Sequence, residues 1–571
     1  MKWIFTLMIV GYSLMLRSQE LETIGRQKPF ELHGTATVGA GYYASKGLNN
    51  TRRPYSYLIS LAPEISIYGV KIPFNFTFFE GSKSVTNPFA QFGVNPSYKW
   101  AKGYFGWTNM TWSSTTLNGK TFLGAGIEIN PSLFRFGAFY GRLNPALPEN
   151  LLGPSPQQPQ FRRRGWGFKI GVGNASNYVD LIWLHGKDIG GSIPTPNDPN
   201  NALNYTPAEN ALVGIKSHQT FLKKKNLIWD LEGTVSGYTR NLNAPLVDIG
   251  NGAGTGFLKV ALPVHSSTGF AWSVRTLLQY KTDKYALGLD YNRIQPEFFS
   301  MGVDYLLNDQ EKVSLTQSFD AAKKKVNVAF SEFYQHDNLN KQKAVYTHRG
   351  GLSANVNANI NQRFGVQFSY NNYMAFQSAG TRAVSDTTRI AQLQNTFVVV
   401  PRYTVISSKM VHNVFLTLSY LRLDDLNTFT SKYGNNNTGN MNLGYSMTII
   451  KWSLGISPVI TALYSRGSVI ELLNVGPAVS LNKTWLKGKL YTATTVGYVA
   501  GRLNGTWNSA IVNNTIDVSY RFTKNHSLRF TNSLMVNNSS TLATREFKGM
   551  LTYVYVFDYS LDKNRKQEKS F

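Results

Sequence analysis

Apolar and polar residues alternate along nearly the whole chain, in short runs that stop and reverse at turn residues. The plainest case is Ile65–Phe78, ISIYGVKIPFNFTF. Ile65 and Ile67, then Val70, Ile72, Phe74, Phe76 and Phe78, carry the apolar side chains, with Ser66, Lys71, Asn75 and Thr77 between them. Only Tyr68-Gly69 interrupts. Side chains alternate across a strand, so two strands joined by a two-residue turn put every apolar residue here on one face. The unit recurs. Phe270, Trp272, Val274, Leu278 and Tyr280 lead through Thr282-Asp283-Lys284 into Tyr285, Leu287, Leu289 and Tyr291. Val356, Ala358 and Ile360 lead through Asn361-Gln362-Arg363 into Phe364, Val366, Phe368 and Tyr370. Ile516, Val518, Tyr520 and Phe522 lead through Thr523-Lys524-Asn525 into Leu528, Phe530 and Leu534, and the last strand carries Leu551, Tyr553, Tyr555, Phe557 and Tyr559.

The polar parity decides which way these hairpins face. Asn355, Asn357 and Asn359 share a face with Gln367, Ser369 and Asn371. That face would be costly in the dry core of a soluble sandwich and is ordinary on a water-filled barrel wall. Short turns alternate with long polar segments, among them Asn144–Arg163, Lys187–Asn210, Asn241–Ser266, Gln377–Ile390 and Asp425–Thr438. No Pro/Ser-rich spacer or shift in composition divides the 571 residues, which argues for one large all-β unit.

The ends add an address. Residues 1–18, within MKWIFTLMIVGYSLMLRSQE, read as a signal peptide: Lys2, then an apolar core from Ile4 to Leu16 too short to span a bilayer as a helix. Residues 19–29 form a short segment before the strands, 30–560 the barrel, and 561–571 a charged tail that moves the final Phe571 off the last strand. There is no cysteine, so disulfides, thiolate metal sites and a lipid anchor at the cleavage site are excluded.

An exported, cysteine-free, hairpin-repeated chain with short turns on one rim and long loops on the other resembles the bacterial outer-membrane β-barrels across nearly its whole mature length. The resemblance is to an architecture; no family-specific motif is matched. It implies a single transmembrane antiparallel barrel in the outer membrane of a Gram-negative cell, in contact with that membrane's lipid and lipopolysaccharide, with short turns periplasmic and long loops extracellular. Parity gives about 26 strands, within a range of 22–26, and an even number returns both ends to the periplasm. Read as two strands, the region Asn292–Asp320 breaks the parity of later turns, so Arg293–Glu311 is expected to be mostly an external loop.

Little in the chain points to catalysis. The eight histidines are scattered without metal-ligand spacing, and neither HExxH nor GxSxG occurs. Gly250–Gly256, GNGAGTG, lacks the Lys-Ser/Thr of a phosphate loop and reads as flexible. No catalytic, cofactor or metal site is assigned, and an enzyme is not expected. Charge says more. The formal net charge is +26. Parity points Lys71, Arg135, Lys169, Lys216, Arg275, Arg521 and Arg529 into the lumen, together with Glu128, Asp230 and Glu232; the plain reading is pairing across strands. The turns Lys223-Lys224-Lys225 and Lys323-Lys324-Lys325 are basic too. With the cations spread around a barrel and no recognition module, a nucleic-acid partner is not expected.

Three functions stay open: a transport or export channel for polar solutes or chains, anionic ones favoured; a non-transporting scaffold of a secretion or surface-assembly complex; and a surface adhesin or receptor. A ring of 26 strands is about 50 Å across and cannot be filled by its own wall side chains. Its filling is expected from the infolded loops Asn144–Arg163, Lys187–Asn210 or Asn241–Ser266, or from a partner protein.

Overall fold

The computed structural model describes residues 28–48, 52–82, 91–148, 159–193, 205–222, 224, 226–248, 262–385, 387, 389–539 and 543–561. The expected signal peptide, the glycine-rich stretch at 250–256 and the tail after Leu561 lie outside them. Alternating sequence becomes strand throughout, and the strands close into one antiparallel barrel of 26. Each strand pairs with its neighbours in sequence. The first, Phe30–Lys46, closes the ring against the last, Ala543–Leu561, in unbroken register from Phe30↔Leu561 to Lys46↔Arg545. Closure leaves no unpaired edge, and the even count brings both ends to the same rim.

One strand is interrupted. Its pieces, Gln91–Val94 and Ser97–Tyr98, are separated by Asn95-Pro96, where proline has no N–H to give the ladder. The opening hairpin forms as its alternation requires: Ile65↔Ile72, Ser66↔Lys71 and Ile67↔Val70 pair around Tyr68 (φ 48°) and Gly69 (φ 81°). Both central residues are left-handed, the mirror-image turn whose twist matches the strands.

Turns on the rim that holds the chain ends are short. The opposite rim carries the long connections, including 145–162, 189–208, 240–267 and 426–435, the last holding a single helical turn, Ser431–Gly434. Towards the C-terminus that rim also tightens, to 468–470 and 504–505. The region expected as a loop over Arg293–Glu311 is narrower: strands run to Ile294 and resume at Gln310. The connection 295–309 sits on the long-loop rim but does not project outward. It folds into the barrel, because its apolar residues find a mate there.

The buried cluster therefore lies inside the ring and on one side of it: its members all fall between Tyr104 and Met301. On the strand Tyr178–Asp188, buried Asp180, Ile182 and Leu184 alternate with Val179 and Leu181, which are 42% and 54% exposed. The covered face is the inner one.

Candidate functional site

Two segments fill part of the lumen. Residues 112–117, Trp-Ser-Ser-Thr-Thr-Leu, connect Ala101–Thr111 to Asn118–Ile129; residues 295–309 connect Tyr285–Ile294 to Gln310–Ala321. Trp112, Leu117, Phe298 and Met301 would be bare on an outward loop. Here they are buried against inner-wall side chains that include Phe122, Phe139, Ile182, Leu184 and Leu212. Each such burial stabilises by about 1.5–3 kcal/mol, enough to favour the infolded path over a solvated one.

Hydrogen bonds fix the pose. The Ser300 hydroxyl donates to Thr116 O at 2.8 Å, and Asn118 N donates to Gly302 O at 3.1 Å, tying one segment to the other. Asn210 on the wall accepts from Met301 N at 3.0 Å and donates to Phe299 O at 3.3 Å, while the Ser236 hydroxyl donates to Phe299 O at 2.6 Å. The first segment reaches the wall through Ser114, whose N–H donates to Glu232 at 2.9 Å and whose hydroxyl donates to the same carboxylate oxygen.

Glycine makes the room. Trp112 stacks edge-on against Phe139 at 5.5 Å and lies over the wall glycines Gly137 and Gly167. A Cβ on Gly167 would sit 3.1 Å from the indole, and one on Gly137 would sit 3.2 Å from it.

Beneath the filling and past it, charges follow the register. A row runs Arg135–Gly171–Asp180–Lys216–Glu232–Arg275–Asn292–Lys312–Gln335–Arg349 across successive strands. Arg135 bonds Asp180 twice, at 2.6 and 2.9 Å, over Gly171, and its guanidinium lies 3.9 Å from the Tyr178 ring. Lys216 is 3.0 Å from Glu232, and Arg275 bonds Asp290 at 2.8 and 3.1 Å. One step away, Lys169 is 3.2 Å from Glu128, whose other oxygen accepts from Tyr104 at 2.7 Å, and Asp230 meets His218 at 2.5 Å. A recess of about 250 Å³ opens among Tyr178, Lys216, Asp230, Glu232 and Arg275.

The structure thus gathers Arg135, Lys169, Lys216, Arg275, Glu128, Asp230 and Glu232 on one stretch of wall. It sets the rest apart. Lys71 is 3.8 Å from Glu64, Arg529 pairs with Asp517, and Arg521 donates to Gly488 O at 3.1 Å in a short turn. The sequence reading missed the infolded pair of segments. It had named the loops Asn144–Arg163, Lys187–Asn210 and Asn241–Ser266, whose central parts lie outside the described residues.

Two signals for this filling are present in the sequence. The segments 112–117 and 295–309 are richer in large apolar residues than a wet loop has use for. The inner parity facing them is unusually rich in glycine, as in GWGFKIGVG at Gly165–Gly173, and glycine inside a strand marks close approach.

The second segment is anchored at its end. Asp309 accepts from Leu339 N at 2.8 Å and Asn338 N at 3.1 Å and pairs with Lys343 at 2.5 Å. Burial pushes the Asp309 carboxyl up, but Lys343 and those two N–H groups outweigh burial and hold it below the ordinary carboxylate range. Burial likewise pushes the Lys343 ammonium down, and Asp309 with Asp337 overcomes that and holds it above its ordinary value.

Among the described residues, nothing fills the rest of the ring. Near the closing strands both faces are open: Asn513, Thr515 and Arg529 on the polar side are exposed, as are Val512, Ile516 and Phe530 on the apolar side. Lys312, Arg349 and Arg402 line this wall without an acidic partner among the described residues. Lys312 lies over the Phe333 ring at 4.6 Å, and Arg402 donates to Asn359.

Outside, the other parity forms an apolar coat. Leu181, Ile215, Leu289, Leu418, Ile460 and Leu551, from strands around the ring, are each 43–54% exposed. In water such a coat would drive aggregation; around a closed barrel it is the surface a bilayer covers. The chain is a membrane-spanning β-barrel. No protein-family model matches it, and no curated protein sequence is significantly similar. Among solved structures, the outer-membrane protein opdK of Pseudomonas aeruginosa aligns over 62% of this chain and 94% of its own, at 8% identity and a TM-score of 0.31. The translocation pore of the P pilus usher PapC aligns over 92% of this chain and 98% of its own, at 10% identity and a TM-score of 0.32. An outer-membrane channel from Pseudomonas putida F1 aligns over 41% of this chain and 94% of its own, at 16% identity and a TM-score of 0.21.

Proposed function

We propose that the barrel is an outer-membrane channel that passes polar solutes along the unfilled side of its lumen, anions in preference to cations. One observation carries the reading: among the described residues, the filling is confined to one side. The buried cluster stops at Met301, while most of the polar face of the strands beyond Val345 stays half-exposed or exposed, as at Asn355, Asn371, Asn513 and Thr515. A scaffold with no traffic gains nothing from a wall of solvated Asn, Thr and Ser; a conduit needs one. The anion preference rests on Lys312, Arg349 and Arg402. On the filled side Arg135, Lys169, Lys216 and Arg275 each face a carboxylate, whereas these three do not, and a lumen lined by one sign of charge raises the local concentration of the other.

Purified protein in a planar bilayer tests both parts. The expected result is a stable conductance whose reversal potential in a salt gradient favours anions, moved towards cations by Lys312→Gln with Arg349→Gln. Asn210→Leu tests the infolded segment. It removes the bonds to Phe299 and Met301 and leaves the buried Met301 N–H unmet, at roughly 1–3 kcal/mol. Conductance and sensitivity to large antibiotics should both rise. A silent bilayer, for the native chain and for Asn210→Leu alike, would discard the channel and leave the scaffold reading.

A further inference from the structure

The outer wall on the filled side grades from charge to aromatic to aliphatic within four register rows. Nearest the long-loop rim, Arg142, Arg164 and Lys187 stand side by side on three consecutive strands. Below them come Tyr140, Trp166 and His185, then Ala138, Phe168 and Trp183, then Phe136, Ile170 and Leu181, each row again in direct register. Tyr140, Trp166, Ile170 and Leu181 are all at least 40% exposed, which sets this parity on the lipid side. An aromatic row between a charged row and an aliphatic one marks the boundary between headgroups and hydrocarbon.

That places the three cations at the headgroups of the leaflet on the long-loop side. Two of the three have no carboxylate to pair with among the described residues. Arg164 is exposed and has no side-chain partner among the described residues. Arg142 lies over the Trp107 ring at 5.5 Å and has no carboxylate partner among the described residues. Lys187 is half exposed and lies 3.1 Å from Glu209, the one carboxylate at the end of the row, which His185 also contacts at 2.8 Å. Exposed Arg162 adds a further charge just beyond the strand end. Adjacent strands are about 4.8 Å apart, so the row spans roughly 10 Å. Guanidinium groups at that spacing suit a headgroup with more than one phosphate, each held by a forked pair of N–H donors.

We propose that Arg142, Arg164 and Lys187 form a site for a multiply phosphorylated glycolipid of the outer leaflet, phosphates on the cations and acyl chains along Phe136, Ile170 and Leu181. The occupant is a lipid rather than a soluble anion because the cations continue directly into an apolar wall, which a free phosphate would not use. The inference does not depend on whether the lumen conducts.

The test is native mass spectrometry of the full chain in detergent with diphosphorylated lipid A, against the variant R142Q/R164Q/K187Q. A control, K323Q/K324Q/K325Q, removes the same charge from a turn on the other rim. Folding of each is read from heat-modifiable mobility on gels. The native chain and the control should each retain one lipid A through mild activation, and the row variant should retain at least tenfold less while remaining folded. Monophosphorylated lipid A should be held more weakly, and millimolar inorganic phosphate should not displace the lipid. Equal retention by the row variant, equal loss in the control, or displacement by inorganic phosphate would each overturn the site. If the triple variant does not fold, Arg164→Gln alone, a change at an exposed and unpartnered side chain, must show the loss.

Discussion

Arg135 grips Asp180 across a strand that contributes no side chain between them: the Nε–Oδ1 distance is 2.6 Å, the Nη2–Oδ2 distance 2.9 Å, and the residue in the gap is Gly171. A Cβ on Gly171 would collide with the Asp180 carboxylate itself. The pair is nearly shut off from water, with Asp180 only 2% exposed. Arg135→Leu strands a buried carboxylate and should lower the stability of the folded barrel by about 3–5 kcal/mol. Arg135→Leu with Asp180→Leu should recover most of that, since the desolvated charge is gone. Urea unfolding of the barrel followed by tryptophan fluorescence gives both numbers. A double variant no better than the single would mean the pair is not a closed unit.

The two faces of one hairpin should answer differently to the same charge. Phe76 belongs to the lipid parity and is 41% exposed, and Asn75 belongs to the lumen parity. Phe76→Arg should impair assembly, because a cation near mid-bilayer on the lipid face costs roughly 2–4 kcal/mol. Asn75→Arg should assemble normally. Heat-modifiable mobility of membrane fractions reads the outcome, and matching behaviour of the two variants would reverse the facing.

The Asp309 anchor gives a pH dependence with a definite sign. Its carboxyl is held below the ordinary range, so its contribution is complete above the ordinary carboxylate value and is lost as pH falls through the lowered one. Lys343 is held above its ordinary value, so its contribution is complete at neutral pH and lost only in strong alkali. Amide exchange at Asn338 and Leu339, corrected for intrinsic rate, should therefore be slow at pH 6 and faster near pH 3. Asp309→Asn should be fast at both. Protection unchanged at low pH would show that the backbone holds the loop without the charge.

Orientation can be read with a thiol, since the chain has no cysteine of its own. Asn340→Cys, on the long-loop rim, should react with a membrane-impermeant maleimide on intact cells. Lys224→Cys, in a short turn on the rim of the chain ends, should stay unlabelled until the envelope is opened. The reverse pattern would invert the barrel.

Alternation alone settled the strands, their pairing in sequence and the parity of each face. It could do so because strand side chains repeat every two residues and a hairpin partner is always the next run along the chain. Ser66↔Lys71 and Arg275's place beside Glu232 follow from that arithmetic. Parity also set aside the two-strand reading of Asn292–Asp320, leaving a connection on the long-loop rim. What it could not decide was where that connection goes. Whether 295–309 projects into water or turns into the lumen depends on Asn210, Leu212 and Ser236, far off in the sequence, and on glycines that clear space on the facing wall. The charge row has the same character. Register puts Lys312 and Arg349 on one face with Lys216, but only closure of the ring sets them beyond the filling, on the open wall, without a carboxylate in reach among the described residues. Local periodicity fixes which face a residue belongs to. What occupies that face is fixed by contacts between residues more than sixty positions apart, as between Ser236 and Phe299 or Thr116 and Ser300, and those exist only once the barrel has closed.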